Sequence, residues 1–239
     1  MWTPTALASE ARPGEGIAWR TVESQHIAAT RRIVASQREQ VILEEILEAS
    51  KPHYQPGTAH LHYLLKTPFR YPPPPQGSRF RRPYSGAGVF YGSEAIRTSL
   101  AEFSFWRRRF FTRSPGTPLP RHPESLTVFQ VRYRSERRLD LTHPPLAADH
   151  RLWTDPDDYA ATWALADNAR AVHIEVIRYR SVRDPRPGFN LALLSPRAFA
   201  HPKPLASQAW RLHLSETESH CHHATDPRRF FTFPVDERA

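Results

Sequence analysis

The sequence predicts an α+β protein with a mixed sheet core and flanking helices, and three observations support this class. Residues 126–134 alternate apolar and polar side chains, as a β-strand does. Ile96, Leu100 and Phe103 have the i, i+4, i+7 spacing of one helical face. The predicted strands and helices are mixed along the chain without the regular alternation of a parallel βαβ sheet, which favours the α+β class.

The first predicted element is a helix over roughly residues 22–50, which the Lys51-Pro52 pair ends. Apolar residues form a stripe along this helix, and they become more frequent toward its C-terminal end, where they include Val41, Ile42, Ile46 and Leu47. An apolar stripe has to be buried. We therefore expect residues 1–52 to form an N-terminal helical extension that packs on the main domain, residues 53–239, or on a second subunit.

The remaining elements follow a long loop. Residues 71–88 contain four consecutive prolines, which lack backbone N–H donors and have a fixed φ, so this stretch is a loop. Residues 88–93 then predict a short strand, and Ser93 is the expected cap of the next helix. Asp155-Pro156 is expected to begin another helix. Three short strands complete the sheet, at residues 174–182, 189–194 and 209–214.

Composition limits the possible locations and partners. The chain has one cysteine, no apolar run of membrane-spanning length and no signal-peptide pattern at its start, so we expect a cytoplasmic protein that does not enter a membrane. The net charge of +9 comes mostly from arginine and indicates an anionic partner. That partner is a nucleic acid, a membrane headgroup, an acidic protein or a phosphorylated metabolite; the alternative is a merely solvated basic surface.

Two further patterns have simple explanations. His213, His220, Cys221, His222 and His223 are the residue types that bind zinc, but they lack the spaced pairs of a tetrahedral site, so no metal is expected. Residues 105–113 interleave aromatic side chains with arginines, as single-strand nucleic-acid binders do. A helix end with a solvated basic face, or a docking surface for an acidic partner, is the favoured explanation of this segment.

One ordered set of motifs carries the functional signal. Arg70 and Tyr71 precede the loop, Gly77-Ser78-Arg79-Phe80 lies within it, Tyr91 is on the next strand and Glu102 on the next helix. A second set follows, with Ser181 and Asn190. Together, over roughly residues 66–196, these motifs resemble the RES domain, a family named for its Arg, Glu and Ser. The chain departs from the family at Arg81, where Asn is usual, and at Arg180, where Pro precedes the serine.

The resemblance implies a fold related to the ADP-ribosyltransferase toxins. It also implies degradation of NAD by hydrolysis or phosphorolysis, with protein ADP-ribosylation in some members. Many members are toxins that a helix-turn-helix antitoxin neutralises. The substituted Arg81 is expected to alter contacts at the mouth of the pocket, and Arg180 to be harmless where Ser181 still points inward.

The residues themselves suit this chemistry. Cleaving the bond between nicotinamide and ribose builds positive charge on the sugar, which a carboxylate such as Glu102 offsets while it binds the ribose hydroxyls. We expect the other candidates to bind the phosphates, the nicotinamide ring and the ribose; they are Arg79 assisted by Arg70, Tyr91 with Tyr71, and Ser181 with Asn190. Each also has a simpler interpretation, as a core aromatic, an exposed helix residue or a turn cap.

The sequence therefore predicts an NAD glycohydrolase or phosphorylase that uses NAD as substrate, with phosphate as a second candidate substrate and no prosthetic group. A protein ADP-ribosyltransferase is the first alternative, and a non-catalytic nucleic-acid-binding module is the second and less favoured one. An antitoxin partner and a homo-oligomer are both compatible with this prediction.

Overall fold

The computed structural model describes residues 2–24, 34–86, 88–114 and 116–235. Eight strands form one mixed sheet; they are β1 (Arg12–Glu23), β2 (Phe90–Ser93), β3 (Glu124–Asp140), β4 (Val176–Arg180), β5 (Phe189–Leu193), β6 (Ala206–Leu214), β7 (Glu218–His223) and β8 (Phe230–Pro234). The described helices are α1 (Pro4–Glu10), α2 (Gln37–Ser50), α3 (Tyr63–Lys66), α4 (Ile96–Thr112), α5 (His150–Trp153) and α6 (Ala160–Ala171). Short 3-10 turns cover Thr67–Phe69, Leu146–Asp149 and Pro196–Ala198. The predicted α+β class with a mixed sheet core and flanking helices is confirmed.

The sheet has the strand order β1-β2-β5-β4-β3-β6-β7-β8, and an additional pairing joins β1 to β3. Strands β1, β2, β5, β4 and β3 therefore form a closed circuit, from which β6, β7 and β8 extend as an antiparallel arm. Only β3 and β4 are parallel, and every other pairing is antiparallel. Closing the circuit places β1 and β2 beside each other, and both supply residues to the cleft described below.

The structure of the N-terminal region differs from the predicted single long helix over residues 22–50. Arg12–Glu23 form a strand that pairs with β3 from Arg12↔Arg138 to Glu23↔Leu126. Gly14 follows an irregularity in this pairing, and a Cβ there would lie 2.5 Å from the Arg138 side chain. Residues 25–33 lie outside the described residues. Within the described residues of this range, the predicted helix is present from Gln37 to Ser50.

Helix α2 begins at Ser36, whose side chain accepts a hydrogen bond from the Glu39 backbone N–H, a standard N-terminal cap. None of its residues is buried. The apolar stripe is instead exposed by 41–59% at Val41, Ile42, Ile46 and Leu47. The prediction that this stripe packs on the main domain is therefore wrong, and its packing on a second subunit stays a prediction.

Two predicted helix starts also need correction. Helix α4 begins after Ala95, because the Ser93 hydroxyl donates to Asn190 and does not cap the helix. Asp155 does not begin α6; its carboxylate accepts the backbone N–H groups of Asp157 and Asp158 in a separate turn. Helix α6 starts five residues later, at Ala160. Asp155 shows why such residues are ambiguous as cap signals, since a short polar side chain also binds backbone N–H groups outside helices.

Three hydrophobic clusters hold the layers together. One packs α6 and α1 on the sheet through Leu7, Leu165 and Ile177; the second fills the circuit around Phe90 and Phe129; the third packs α4 on the β6–β8 arm through Leu100, Trp210 and Phe233. The first residues of the chain are docked rather than loose, because the Trp2 Nε1–H donates to Asp149 at 2.7 Å. Among the described residues, no helix is long and apolar enough to cross a membrane.

Candidate functional site

A cleft of about 260 Å³ opens where α4 crosses β1, β2 and β5. Its lining includes four of the seven residues that the sequence predicts for the site, Arg79, Tyr91, Glu102 and Asn190. Ser181 lies directly behind this wall and contacts Glu102. Five of the seven predicted residues, from Arg79 to Asn190, therefore lie in or directly behind one cleft.

Glu102 lies in the second turn of α4, half-buried and facing the cleft. Its Oε1 atom accepts two hydrogen bonds, from Ser181 Oγ at 2.7 Å and from Asn190 Nδ2 at 2.6 Å. Its Oε2 atom accepts none from any residue that the structure describes. One oxygen thus fixes the carboxylate, and the second is available to a ligand.

Asn190 owes its orientation to the neighbouring strand. It pairs with Ser93 in the register of β2 and β5, and the Ser93 hydroxyl donates to Asn190 Oδ1 at 2.7 Å. Both residues are 2% exposed, so water does not compete for this bond. Because Oδ1 is engaged by Ser93, the Nδ2 amide group is directed at Glu102, where it acts as a donor.

Ser181 forms hydrogen bonds within its own turn and with Glu102. Its backbone N–H donates to the Gly188 carbonyl at 2.8 Å, and its hydroxyl oxygen accepts the N–H groups of Arg183 and Asp184 at 3.3 and 3.1 Å. The same hydroxyl donates its proton to Glu102. Ser181 therefore caps its turn and also contacts Glu102, so it points inward although Arg180 precedes it, whereas its role in the site stays a prediction.

Arg79 is buried in the cleft wall but already has partners. Its two terminal nitrogens donate to the carbonyls of Trp153 and Asp155 at 2.7 and 2.8 Å, and its guanidinium lies 4.8 Å from the centre of the Tyr159 ring. A guanidinium has five N–H donors. These two bonds hold Arg79 in place and leave donors for a ligand in the cleft.

Arg20 on β1 is a cleft residue that sequence reasoning missed. It donates to the Tyr91 carbonyl at 2.7 Å and lies over the Phe90 ring at 5.0 Å. Burial lowers its pKa to about 10, so it remains a cation at neutral pH. Among the described residues no carboxylate forms an ion pair with Arg20, which leaves its charge available to an anionic ligand.

Tyr91 and four further aromatic residues line the cleft. The Tyr91 hydroxyl accepts the Phe80 backbone N–H at 3.0 Å and shares a hydrogen bond of 2.9 Å with Ser78. Burial raises the pKa of Tyr91, so its phenol stays neutral. Trp106 is 39% exposed and also lines the cleft. The remaining three are Phe103, Tyr159 and Tyr179.

Residues 54–215 match the family model of the RES domain. The chain belongs to the RES-domain family. Its fold is also similar to that of a chain in the crystal structure of the M. tuberculosis MbcT–MbcA toxin–antitoxin complex, with 10% identity and a TM-score of 0.50 over 85% of this chain and 89% of that one. No curated protein matches the sequence.

The RES-domain match begins at residue 54 and so excludes β1, although β1 closes the strand circuit and carries Arg20. Arg81, which stands where the family usually has Asn, does not line the cleft. It is buried, donates to the Tyr71 carbonyl, and has its pKa lowered by burial. The expectation that Arg81 alters contacts at the mouth of the pocket is therefore wrong.

Two predicted ligand-binding residues of this RES domain lie elsewhere. Arg70 forms an ion pair with Glu48 at 2.7 Å and stacks on the Tyr54 ring at 4.0 Å. With Tyr71 it lines a separate cavity of about 420 Å³, which shares Arg20 with the cleft. The structure therefore does not bring Arg70 and Tyr71 together with Glu102.

The arginine-rich segment 105–113 is tied to the RES domain itself. Arg107 forms a bidentate ion pair with Glu124, Arg108 donates to the carbonyls of Ser215 and Glu218 at 2.7 and 2.8 Å, and Arg109 lies 3.5 Å from an oxygen of Asp157. The solvated basic face proposed for this segment is therefore wrong for these three arginines. Because all three arginines are engaged within the protein, they are less available to bind a nucleic acid.

The histidine-rich segment forms a ladder of rings across the arm of the sheet. His213 and His220 stack at 6.4 Å between ring centres, and His220 and His222 at 6.3 Å. Cys221 points the opposite way, into the core, where burial raises its pKa to about 12. Within the described ranges, no group of three or more His, Cys, Asp or Glu residues is arranged to hold a metal ion.

Proposed function

We propose that the cleft binds NAD and cleaves its nicotinamide–ribose bond, with Glu102 as the catalytic carboxylate. The observation that carries this proposal is the one-sided fixation of Glu102, whose Oε1 is held by Ser181 and Asn190 while Oε2 is available in a cleft lined by cations and aromatic rings. A carboxylate fixed in advance stabilises developing positive charge without reorganising during the reaction.

The size of the cleft suits one half of the dinucleotide. Small-molecule sites typically have about 300–1,000 Å³, so a cleft of about 260 Å³ holds the nicotinamide and its ribose. The aromatic walls formed by Tyr91 and Trp106 suit the flat nicotinamide ring. Two of the arginines that line the wall, Arg20 and Arg79, supply donors for the pyrophosphate.

In the proposed reaction, the bond from ribose C1 to the nicotinamide nitrogen breaks, and nicotinamide leaves with the electron pair as a neutral base. The ribose then carries positive charge, which Glu102 Oε2 offsets while it accepts a hydrogen bond from a ribose hydroxyl. Water or phosphate adds to C1 and loses a proton to the solvent. Ser181 and Asn190 are positioning residues because they act through Glu102.

The decisive experiment measures nicotinamide release from NAD by the purified protein, with and without phosphate. We expect Glu102→Gln to bind NAD and to release nicotinamide at least about a hundredfold more slowly, the usual cost of losing one transition-state electrostatic contact. Glu216→Gln, at an exposed position of the same charge, is the matched control and should retain the wild-type rate. Release by Glu102→Gln at the wild-type rate would contradict the proposal.

The reaction products show which acceptor receives the ADP-ribosyl group. ADP-ribose alone indicates hydrolysis, its phosphate adduct indicates phosphorolysis, and a label transferred to protein indicates an ADP-ribosyltransferase, the alternative that shares this cleft. No specific contact in the cleft favours a protein acceptor over water or phosphate.

We also propose that the protein is the toxin of a toxin–antitoxin pair. Its family and its structural similarity to a chain of a toxin–antitoxin complex support this role. Expression of the wild-type chain in bacteria should lower cellular NAD and stop growth, whereas Glu102→Gln should do neither. Co-expression of a helix-turn-helix protein encoded next to the gene should restore growth. Growth arrest by the Glu102→Gln variant would show that any toxicity has another cause.

A further inference from the structure

A second cavity, of about 820 Å³, lies on the other side of the turn that carries Ser181. Helix α5, the segment after β3 and the turn 181–186 form its walls. It shares Ser181's neighbour Val182 with the catalytic cleft, so the two cavities are separated by a single layer of chain. Of the residues that line this second cavity, the proposed reaction uses only Ser181, which positions Glu102.

The cavity has an excess of positive charge. Arg178 is neutralised by Glu94 and Asp140, at 2.6 and 3.2 Å, and Asp184 is neutralised by a close ion pair with Arg97. Arg180 and Arg186 also line the cavity. Over the described ranges neither of these two guanidinium groups has an ion pair or a side-chain hydrogen bond, so both charges are available.

The backbone is restrained at both arginine positions. Arg180 ends β4, where it pairs with Phe189 of β5. Arg186 stands between two prolines, whose fixed φ stiffens the chain, and its N–H donates to Asp184 Oδ1 at 3.0 Å. An anion binding here therefore orders little backbone.

The cationic groups also repel one another. Burial lowers the pKa of Arg97, and the nearby Arg186 lowers it further. An anion bound in the cavity relieves this repulsion. Arg180 also distinguishes this chain from the RES-domain motif that it resembles, in which a proline stands at that position.

We propose that this cavity is a second anion site, which binds a phosphate group between Arg180 and Arg186. The guanidinium group forms paired hydrogen bonds with phosphate oxygens, which makes the phosphate group, free or as a monoester, the fitting ligand. The bound phosphate restrains the turn whose opposite side presents Ser181 to Glu102.

The test is isothermal titration calorimetry of the full chain with inorganic phosphate and with ribose 5-phosphate, at constant ionic strength. We expect Arg180→Gln and Arg186→Gln each to weaken binding about tenfold or more, because each removes a charge-assisted hydrogen bond. Arg211→Gln, at an exposed arginine without an ion pair, is the matched control, and Arg20→Gln reports binding in the catalytic cleft. Arg211→Gln should bind as the wild type does, and Arg20→Gln should lose only the binding that occurs in the catalytic cleft.

The two ligands separate the sources of the phosphate group. Tighter binding of ribose 5-phosphate indicates a monoester, and equal binding indicates the free ion. Hydrogen exchange of residues 181–188 should slow when the wild type binds phosphate and not in Arg180→Gln. Failure of the wild type to bind either ligand, or loss of binding only in Arg20→Gln, would overturn the proposal. NAD cleavage does not enter these measurements, so they are independent of the proposed function.

Discussion

Replacing Asp184 with Asn should destabilise the protein strongly, because Asp184 joins the turn 181–188 to the start of α4. One carboxylate oxygen of Asp184 pairs with Arg97 and the other accepts the Thr98 hydroxyl at 2.8 Å. The Asp184 side chain is 2% exposed and that of Arg97 is 17% exposed. Breaking a buried ion pair by removing one partner leaves an uncompensated charge and typically costs about 3–5 kcal/mol. We expect this loss in the free energy of unfolding of Asp184→Asn.

Urea denaturation measures this loss, with Glu15→Gln as the matched control. Glu15 also pairs with an arginine, Arg132, at 3.6 Å, but both side chains are more than half exposed. Exposed pairs contribute about 0–1 kcal/mol, so the control should remain near the wild type. Equal and small effects of the two substitutions would show that the Arg97–Asp184 pair does not hold the turn on α4.

Three further predictions concern single side chains. Asn190→Ala should lower kcat for NAD and cost about 1–3 kcal/mol of stability, because Glu102 loses a donor and the buried Ser93 hydroxyl loses its acceptor; kinetics and urea denaturation measure both. Burial raises the pKa of Tyr91 in the folded state, so Tyr91 contributes stability that is fully present below pH 10. This contribution is lost as the pH rises through the folded-state pKa. Alkaline denaturation of Tyr91→Phe should therefore depend less on pH than that of the wild type. Cys221 should react with a thiol reagent at neutral pH only when the protein unfolds, as measured by reaction rates with and without urea, since burial raises its pKa to about 12.

The sequence predicted the elements whose side chains alternate or repeat strongly. Helix α4 and the strands β2, β3, β4 and β5 are present where their apolar patterns indicated, although β3 is longer at both ends. Strand β1 was missed because it contains Pro13, Gly14 and Gly16, which are typical of loops. Its pairing with β3 depends on backbone hydrogen bonds, which no side-chain pattern reveals.

Strands β7 and β8 were missed for a different reason. In β7 the buried positions are Ser219 and Cys221 and the outward ones are histidines, so the strand has no apolar face for a hydrophobicity pattern to detect. Its place is fixed by pairing with β6 and by burial of Cys221 against Ser104 of α4. Tertiary contacts, not local preference, decide such a strand.

The candidate site was predictable where family motifs carry it and unpredictable elsewhere. Glu102, Ser181 and Asn190 were singled out by their order in the chain, and the structure joins them by two hydrogen bonds. Arg20 lies fifty residues before Arg70, the first residue of the family motifs, in a segment without helical or strand periodicity. Only the closed strand circuit places Arg20 beside Tyr91.

The net charge of +9 has a structural explanation that bears on function. Arg79 and Arg108 are buried and donate to backbone carbonyls, so they satisfy chain ends and turns inside the protein instead of forming a basic surface. A guanidinium suits this task because it stays charged and offers several donors in one plane. Net charge therefore overstates the attraction to a nucleic acid. Three arginines that form no ion pair with a described carboxylate, Arg20 in the cleft and Arg180 with Arg186 behind the turn, line two small cavities, which favours small phosphate-bearing ligands over a polyanion.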